Sequence, residues 1–183
     1  MENGYIEESV RTRLILSGIR ELEEHGIAGF SLRRAALGAQ VSCAAPYRHF
    51  KDKDEYIKEI VSYVNSKWEL LSREIEKIYS ADPRRLAVEI SMAILRFRIA
   101  NNKFSSVFAL AGDMADGGTG TPDASLLLAV GAYADYRKLK EEERELLEYT
   151  VRAIIAGTLV LSETLGTERV LSLAKRKLER EFI

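Results

Sequence analysis

Tyr47, Arg48, His49, Lys51 and Lys53 fall within one seven-residue window, and Arg33 and Arg34 stand a short way upstream. A phenol and an imidazole can each donate a hydrogen bond to a phosphate oxygen. A guanidinium can grip a phosphate or the edge of a guanine with two parallel bonds. The chemistry on offer is therefore recognition of a nucleic acid. Covalent catalysis has no comparable set of residues. The chain has two histidines, His25 and His49, and one cysteine, Cys43. They form no metal-ligand spacing and no nucleophile–base pair. The glycine-rich stretch 112–123 lacks the Gly-Lys-Ser/Thr ending of a phosphate-binding loop. The expectation is a protein that is not an enzyme and holds no metal or cofactor.

Charge is sorted along the chain. The net charge of the 183 residues is −1, which by itself announces no nucleic-acid partner. Residues 31–53 nevertheless hold five cations (Arg33, Arg34, Arg48, Lys51, Lys53) against the single acid Asp52. A local basic patch is what phosphate contact requires. The segment before it is acidic, with Glu21, Glu23 and Glu24.

A composition of 46% hydrophobic and 30% charged residues suits a well-buried globular core. One cysteine allows no internal disulfide, which fits a reducing compartment. No apolar run approaches the roughly 20 residues of a membrane span. The start, Met-Glu-Asn-Gly-Tyr-Ile-Glu-Glu, is acidic and lacks a signal-peptide core. These features point to the cytoplasm and away from membranes.

Helical spacing dominates and strand-like alternation is nearly absent, so the expected fold is all-α. The first helix is predicted from about Ile6 to His25, with Gly26 as its stop. Ser31 suits the cap of a short second helix ending near Leu37 or Gly38. Ala39-Gln40 makes a turn, and Val41 plugs the core between the helices. A third helix is expected to begin near Ser42 to Ala44. Pro46 belongs in a first helical turn but disfavours helical geometry at Ala45. A long fourth helix begins near Lys53. Further helices are expected at about 83–101, 103–115, 124–137, 141–165 and 167–181.

Two short helices and a tight turn with outward cations are the parts of a helix-turn-helix DNA reader. The order Gly26, Phe30-Ser31-Leu32-Arg33-Arg34-Ala35-Ala36, Val41-Ser42, Tyr47-Arg48-His49-Phe50 and Lys53 resembles the N-terminal domain of the tetracycline-repressor (TetR) family of bacterial regulators. The likeness covers roughly residues 10–60. It implies an N-terminal three-helix DNA-binding domain (1–55) and a helical effector-binding and dimerisation domain (56–183). It implies that Tyr47 and His49 contact phosphate and that Lys53 lies against the backbone. Ser31 and Arg33 would touch DNA from the second helix, and Ser42, Cys43, Ala44, Ala45 and Arg48 from the third. Small side chains at the base-reading positions leave most direct readout to Arg33 and Arg48. The chain departs from the family at Gln40, where glycine is usual, and a Cβ is costly if that position needs positive φ.

The resemblance also implies a small-molecule pocket among the middle helices. Tyr63, Trp68, Met92, Phe97, Phe104, Phe108 and Tyr133 are its candidate lining, and few charges interrupt them. An apolar or aromatic effector is expected. Leu147, Val151, Ile154, Thr158, Leu161 and Leu165 step by fours and threes, followed by Leu171, Ala174 and Leu178. Of these, Val151, Ile154, Thr158, Leu161, Leu171 and Leu178 are the candidate dimer interface. The expected partners are a palindromic double-stranded operator, a second copy of the chain and an effector. The expected activity is that of a homodimeric repressor. The alternative is a helical small-molecule binding module or adaptor without specific DNA binding.

Overall fold

The computed structural model describes residues 9–102 and 120–183, and every regular element among them is helical. The predicted helix at 103–115, with Phe104 and Phe108, lies outside the described residues. The chain divides into two compact units, residues 9–64 and residues 65–102 with 120–183.

The first unit begins with α1 (Val10–Gly29), opened by Ser9, whose hydroxyl accepts from the amide of Thr12 at 3.1 Å. Leu14, Ile15, Ile19 and Leu22 recur at helical spacing and are buried. Gly26 breaks the helix with φ 64° and ψ −177°, and one further turn follows. Glycine reaches that geometry without strain. Then come α2 (Leu32–Gly38), α3 (Pro46–His49) and the start of α4 (Lys53–Tyr79). Phe50 stacks on Tyr56 at 4.1 Å and 5°, and Phe30 meets Tyr56 edge-on at 5.3 Å. These rings join the entry to α2, the exit from α3 and the first turn of α4. The Tyr56 hydroxyl, fully buried, donates to the carbonyl of Leu14.

The second unit takes over the rest of α4, followed by α5 (Pro83–Ala100), α6 (Pro122–Arg137), α7 (Glu141–Leu165) and α8 (Thr167–Glu181). Helix α5 is its centre: Ala87, Val88 and all of Ile90 to Leu95 are buried. It packs against α6, α7 and α8. Asp82 and Thr121 cap α5 and α6, each followed by a proline at the first helical position. Three glutamates open α7, where the helix dipole favours them. Phe182, past the end of α8, is fully buried against Tyr133.

Candidate nucleic-acid interface

The surface begins at Ser31. Its backbone is extended (φ −126°, ψ 118°), and its hydroxyl faces the amide of Arg34 at 3.4 Å as the cap of α2. Helix α2 ends in a six-residue turn. The amide of Val41 donates to the carbonyl of Ala36 at 3.1 Å, and that of Gln40 donates to Leu37 at 3.0 Å. This is the Schellman arrangement, and it puts its C′ residue in the left-handed region. That residue is Gln40, at φ 57°. The turn thus takes the backbone shape that glycine suits best while carrying a Cβ. Gly38 supplies the close approach: a Cβ there would lie 2.4 Å from Ser17 Oγ on α1.

The third helix is shorter than its sequence suggests. Ala45 donates to the carbonyl of Ser42 at 2.9 Å, closing a turn, and the regular helix starts only at Pro46. Ala45 holds φ −62° and ψ −43°, so helical geometry prevails at the residue before the proline. Pro46 is buried and occupies the first helical position, where its missing N–H leaves no bond unmade. The single turn it opens is held from below by Pro46 and Phe50.

What α3 turns outward is the set named from sequence. Tyr47 is 66% exposed, and Arg48 and His49 are exposed beside it. His49 is therefore a surface histidine and not part of a core. Ser42, Cys43 and Ala44 are exposed, while Ala45 and Val41 are half-buried. Arg33 is exposed on α2. Among the described residues, neither Arg33 nor Arg48 is held in an ion pair. Lys53 is half-buried, with Nζ 3.5 Å from the carbonyl of Ala28. Ser31 is half-buried.

Arg34 differs from the other cations. Its Nε donates to Glu21 at 2.9 and 3.1 Å, and the pair is closed by Nη2 at 2.5 Å. The bond to Glu21 holds the guanidinium above its ordinary pKa. Glu21 itself is buried, and nothing in its sequence neighbourhood marks it as such. An acid in a mixed acidic run reads as a solvated face until the fold covers it.

The residues named for an effector pocket distribute between the units. Trp68, Met92 and Tyr133 are buried in the core of the second unit, with Phe97 packed against it. The indole N–H of Trp68 donates to Ser125 Oγ at 3.0 Å, and its ring meets Phe97 at 5.4 Å. Tyr63 is half-buried in the first unit. Of the residues named for a dimer interface, Val151, Thr158 and Leu178 are buried within the second unit, Ile154 and Leu171 are half-buried, and Leu161 is 48% exposed. Helix α7 also carries an apolar row that points outward. Leu146 is 65% exposed, Tyr149 72% and Val160 69%, with Ala153, Ala156 and Gly157 exposed between them.

No protein-family model and no curated relative matches the chain. Solved structures do. A Clostridium perfringens protein named for a proposed role in fatty acid metabolism regulation aligns with a TM-score of 0.74 at 13% identity, over 93% of this chain and 98% of that one. A TetR/AcrR-type transcriptional regulator from Aquifex aeolicus VF5 aligns at 0.60 with 20% identity, over 94% and 96%. The multidrug binding protein EbrR, complexed with ethidium, aligns at 0.56 with 19% identity, over 96% and 99%. With α1 to α3 arranged as a helix-turn-helix and near-complete coverage on both sides, the chain has the all-helical fold of the TetR-like transcriptional regulators.

Proposed function

We propose that this protein is a sequence-specific DNA-binding transcriptional regulator, a homodimeric repressor that leaves a palindromic operator when a small-molecule effector binds. The observation that carries this reading is the outward face of α3. A single helical turn, seated on buried Pro46 and Phe50, presents Tyr47, Arg48 and His49 side by side. Arg33 joins them from α2 as a second cation in no ion pair among the described residues. Exposed side chains whose donors are in no hydrogen bond among the described residues suit phosphates and base edges. The fold supports the reading, because the solved structures that share it include transcriptional regulators.

In this reading residues 1–55 carry the reader, and residues 56–183 carry the dimer contact and effector site. Ser31, Ser42, Cys43, Ala44, Ala45 and Lys53 complete the DNA face. Two readers about 34–36 Å apart match successive half-sites of an inverted repeat. Helix α4 runs from one unit into the other and is the natural element to couple them. An effector that favours a splayed arrangement draws the population off DNA. Trp68, Met92 and Phe97 pack together in the core of the second unit, and a site opened among them favours an apolar or aromatic compound. Ethidium, bound by one neighbour, belongs to that class.

Selection of bound sequences from a random duplex pool at physiological salt tests the reading. Enrichment of one inverted repeat is expected, with affinity that falls steeply as salt rises. Arg48→Ala should then lower the preference for operator over scrambled DNA by about five- to a hundred-fold, the range of a bidentate base contact. Equal losses on both duplexes would make Arg48 a phosphate contact, and an unenriched pool would remove the DNA reading.

A further inference from the structure

Glu21 sits in the fourth turn of α1 and is 6% exposed. A carboxylate so placed needs its charge matched and its lone pairs filled. Both needs are met from the reader. One oxygen accepts the main-chain N–H of Ser31 at 3.0 Å and the Nε of Arg34 at 2.9 Å. The other lies 3.1 Å from the same Nε and 3.5 Å from His25 Nδ1. Arg34 then reaches on to the carbonyl of Gly29, at the end of α1. One buried acid thus gathers the cap of α2, a cation of its first turn and the close of α1.

The small residues of α2 that face inward fix its rotation only weakly. Ala35, Ala36 and Gly38 bring α2 close to α1, but they have almost no side chain with which to fix its rotation. Arg33 and Arg34 are both exposed, Arg34 at 46%, so rotation about the α2 axis decides whether the Arg34 guanidinium lies against Glu21 or swings free beside Arg33. Successive residues on a helix point about 100° apart. Only the Glu21 end of this pair is buried, and the bonds that the Arg34 fork makes to it are directional, which suits the pair to fixing an arrangement.

We infer that Glu21 is the positioning residue of the DNA reader: by holding Arg34 and the Ser31 amide, it sets the rotation of α2, presents Arg33 to the duplex and withholds Arg34 from it. The inference rests on the DNA-binding reading above.

The test uses the full chain with Glu21→Gln, Arg34→Gln and the double variant. The readout is the ratio of affinities for the selected operator and for a scrambled duplex, together with the salt slope on scrambled DNA. Circular dichroism and a melting curve establish the folded fraction. Glu21→Gln should lower the ratio by about ten-fold and steepen the slope by about one phosphate, because Arg34 is released. Arg34→Gln should lower the ratio without steepening the slope. The double variant should be no worse than the worse single, the mark of a coupled pair. A residue that only stabilised the fold would lower the melting point and leave both ratio and slope of the folded protein unchanged. That result, or additive losses, overturns the inference. If Glu21→Gln does not fold, Arg34→Lys keeps the charge and loses the fork. It should lower the ratio about three-fold at an unchanged slope, and no loss would overturn the inference. A wild-type ratio near one removes the DNA reading and this inference with it. A high wild-type ratio with indifferent variants removes the inference alone.

Discussion

Tyr56 shows how much of the reader depends on a residue that touches no ligand. Its ring is stacked on Phe50 and its hydroxyl donates to the carbonyl of Leu14, so one phenol ties α4 to α1 and to the exit of α3. Burial pushes its pKa well above the ordinary 10.0, and the nearby charge of Glu21 pushes the same way. The folded state therefore keeps a proton that the unfolded chain releases near pH 10. The linked stability is whole below that pH and is lost as pH rises above it. Tyr56→Phe should flatten this alkaline decline, measured as urea midpoints at neutral pH and above pH 10. At neutral pH it should cost about 1 kcal/mol for the missing bond. The sequence made Tyr47, Arg48 and His49 legible, because exposed donors at that spacing have few other uses. Tyr56 and Glu21 were not legible. A buried phenol and a buried acid have no spacing of their own, and only the fold shows what they meet.

Among elements, the first three helices were legible where punctuation is strong. Ser31, Gly26 and Pro46 each mark a boundary through backbone geometry that few residues can adopt. The start of α3 was less so. Small residues from Ser42 to Ala45 are compatible with either a turn or a helix, and the turn closed by Ala45 takes them. Packing between elements was legible only after the fact. Gly18 lets α1 approach α4: a Cβ there would lie 2.6 Å from Ile60 Cδ1 and 3.1 Å from the Tyr56 ring. The end of an isoleucine can swing aside. The Tyr56 ring cannot, because stacking and a hydrogen bond fix it. Alanine is the better helix former by about 1 kcal/mol, so overpacking and propensity oppose each other. Overpacking of a closed core should win, leaving Gly18→Ala about 1–2 kcal/mol less stable in urea unfolding. An unchanged midpoint would mean that α4 gives way more readily than its bonds suggest.

At the scale of the whole molecule, α7 is apolar on two sides. Its row of Leu147, Val151, Ile155 and Thr158 is buried in the second unit, and the row of Leu146, Tyr149 and Val160 is left in water. Steps of three and four residues describe both rows. A sequence can therefore show that such a helix is apolar without showing which side has a neighbour in the same chain. Exposed large side chains along one row, with Gly157 opening space between them, suit a second copy of the helix. Val160→Glu should convert a dimer into a monomer of 20.6 kDa by light scattering. Secondary structure by circular dichroism should be preserved, since Val160 makes no part of the buried core. A dimer that survives the charge would place the contact elsewhere.

The one cysteine of the chain is exposed at position 43, in the turn that leads into α3 and beside the side chains proposed to meet DNA. A soluble alkylating reagent therefore has a single target, already located on the surface proposed to read DNA. The rate at which that thiol is consumed becomes a footprint of whatever covers the surface, followed by mass alone and without altering a residue of the natural sequence.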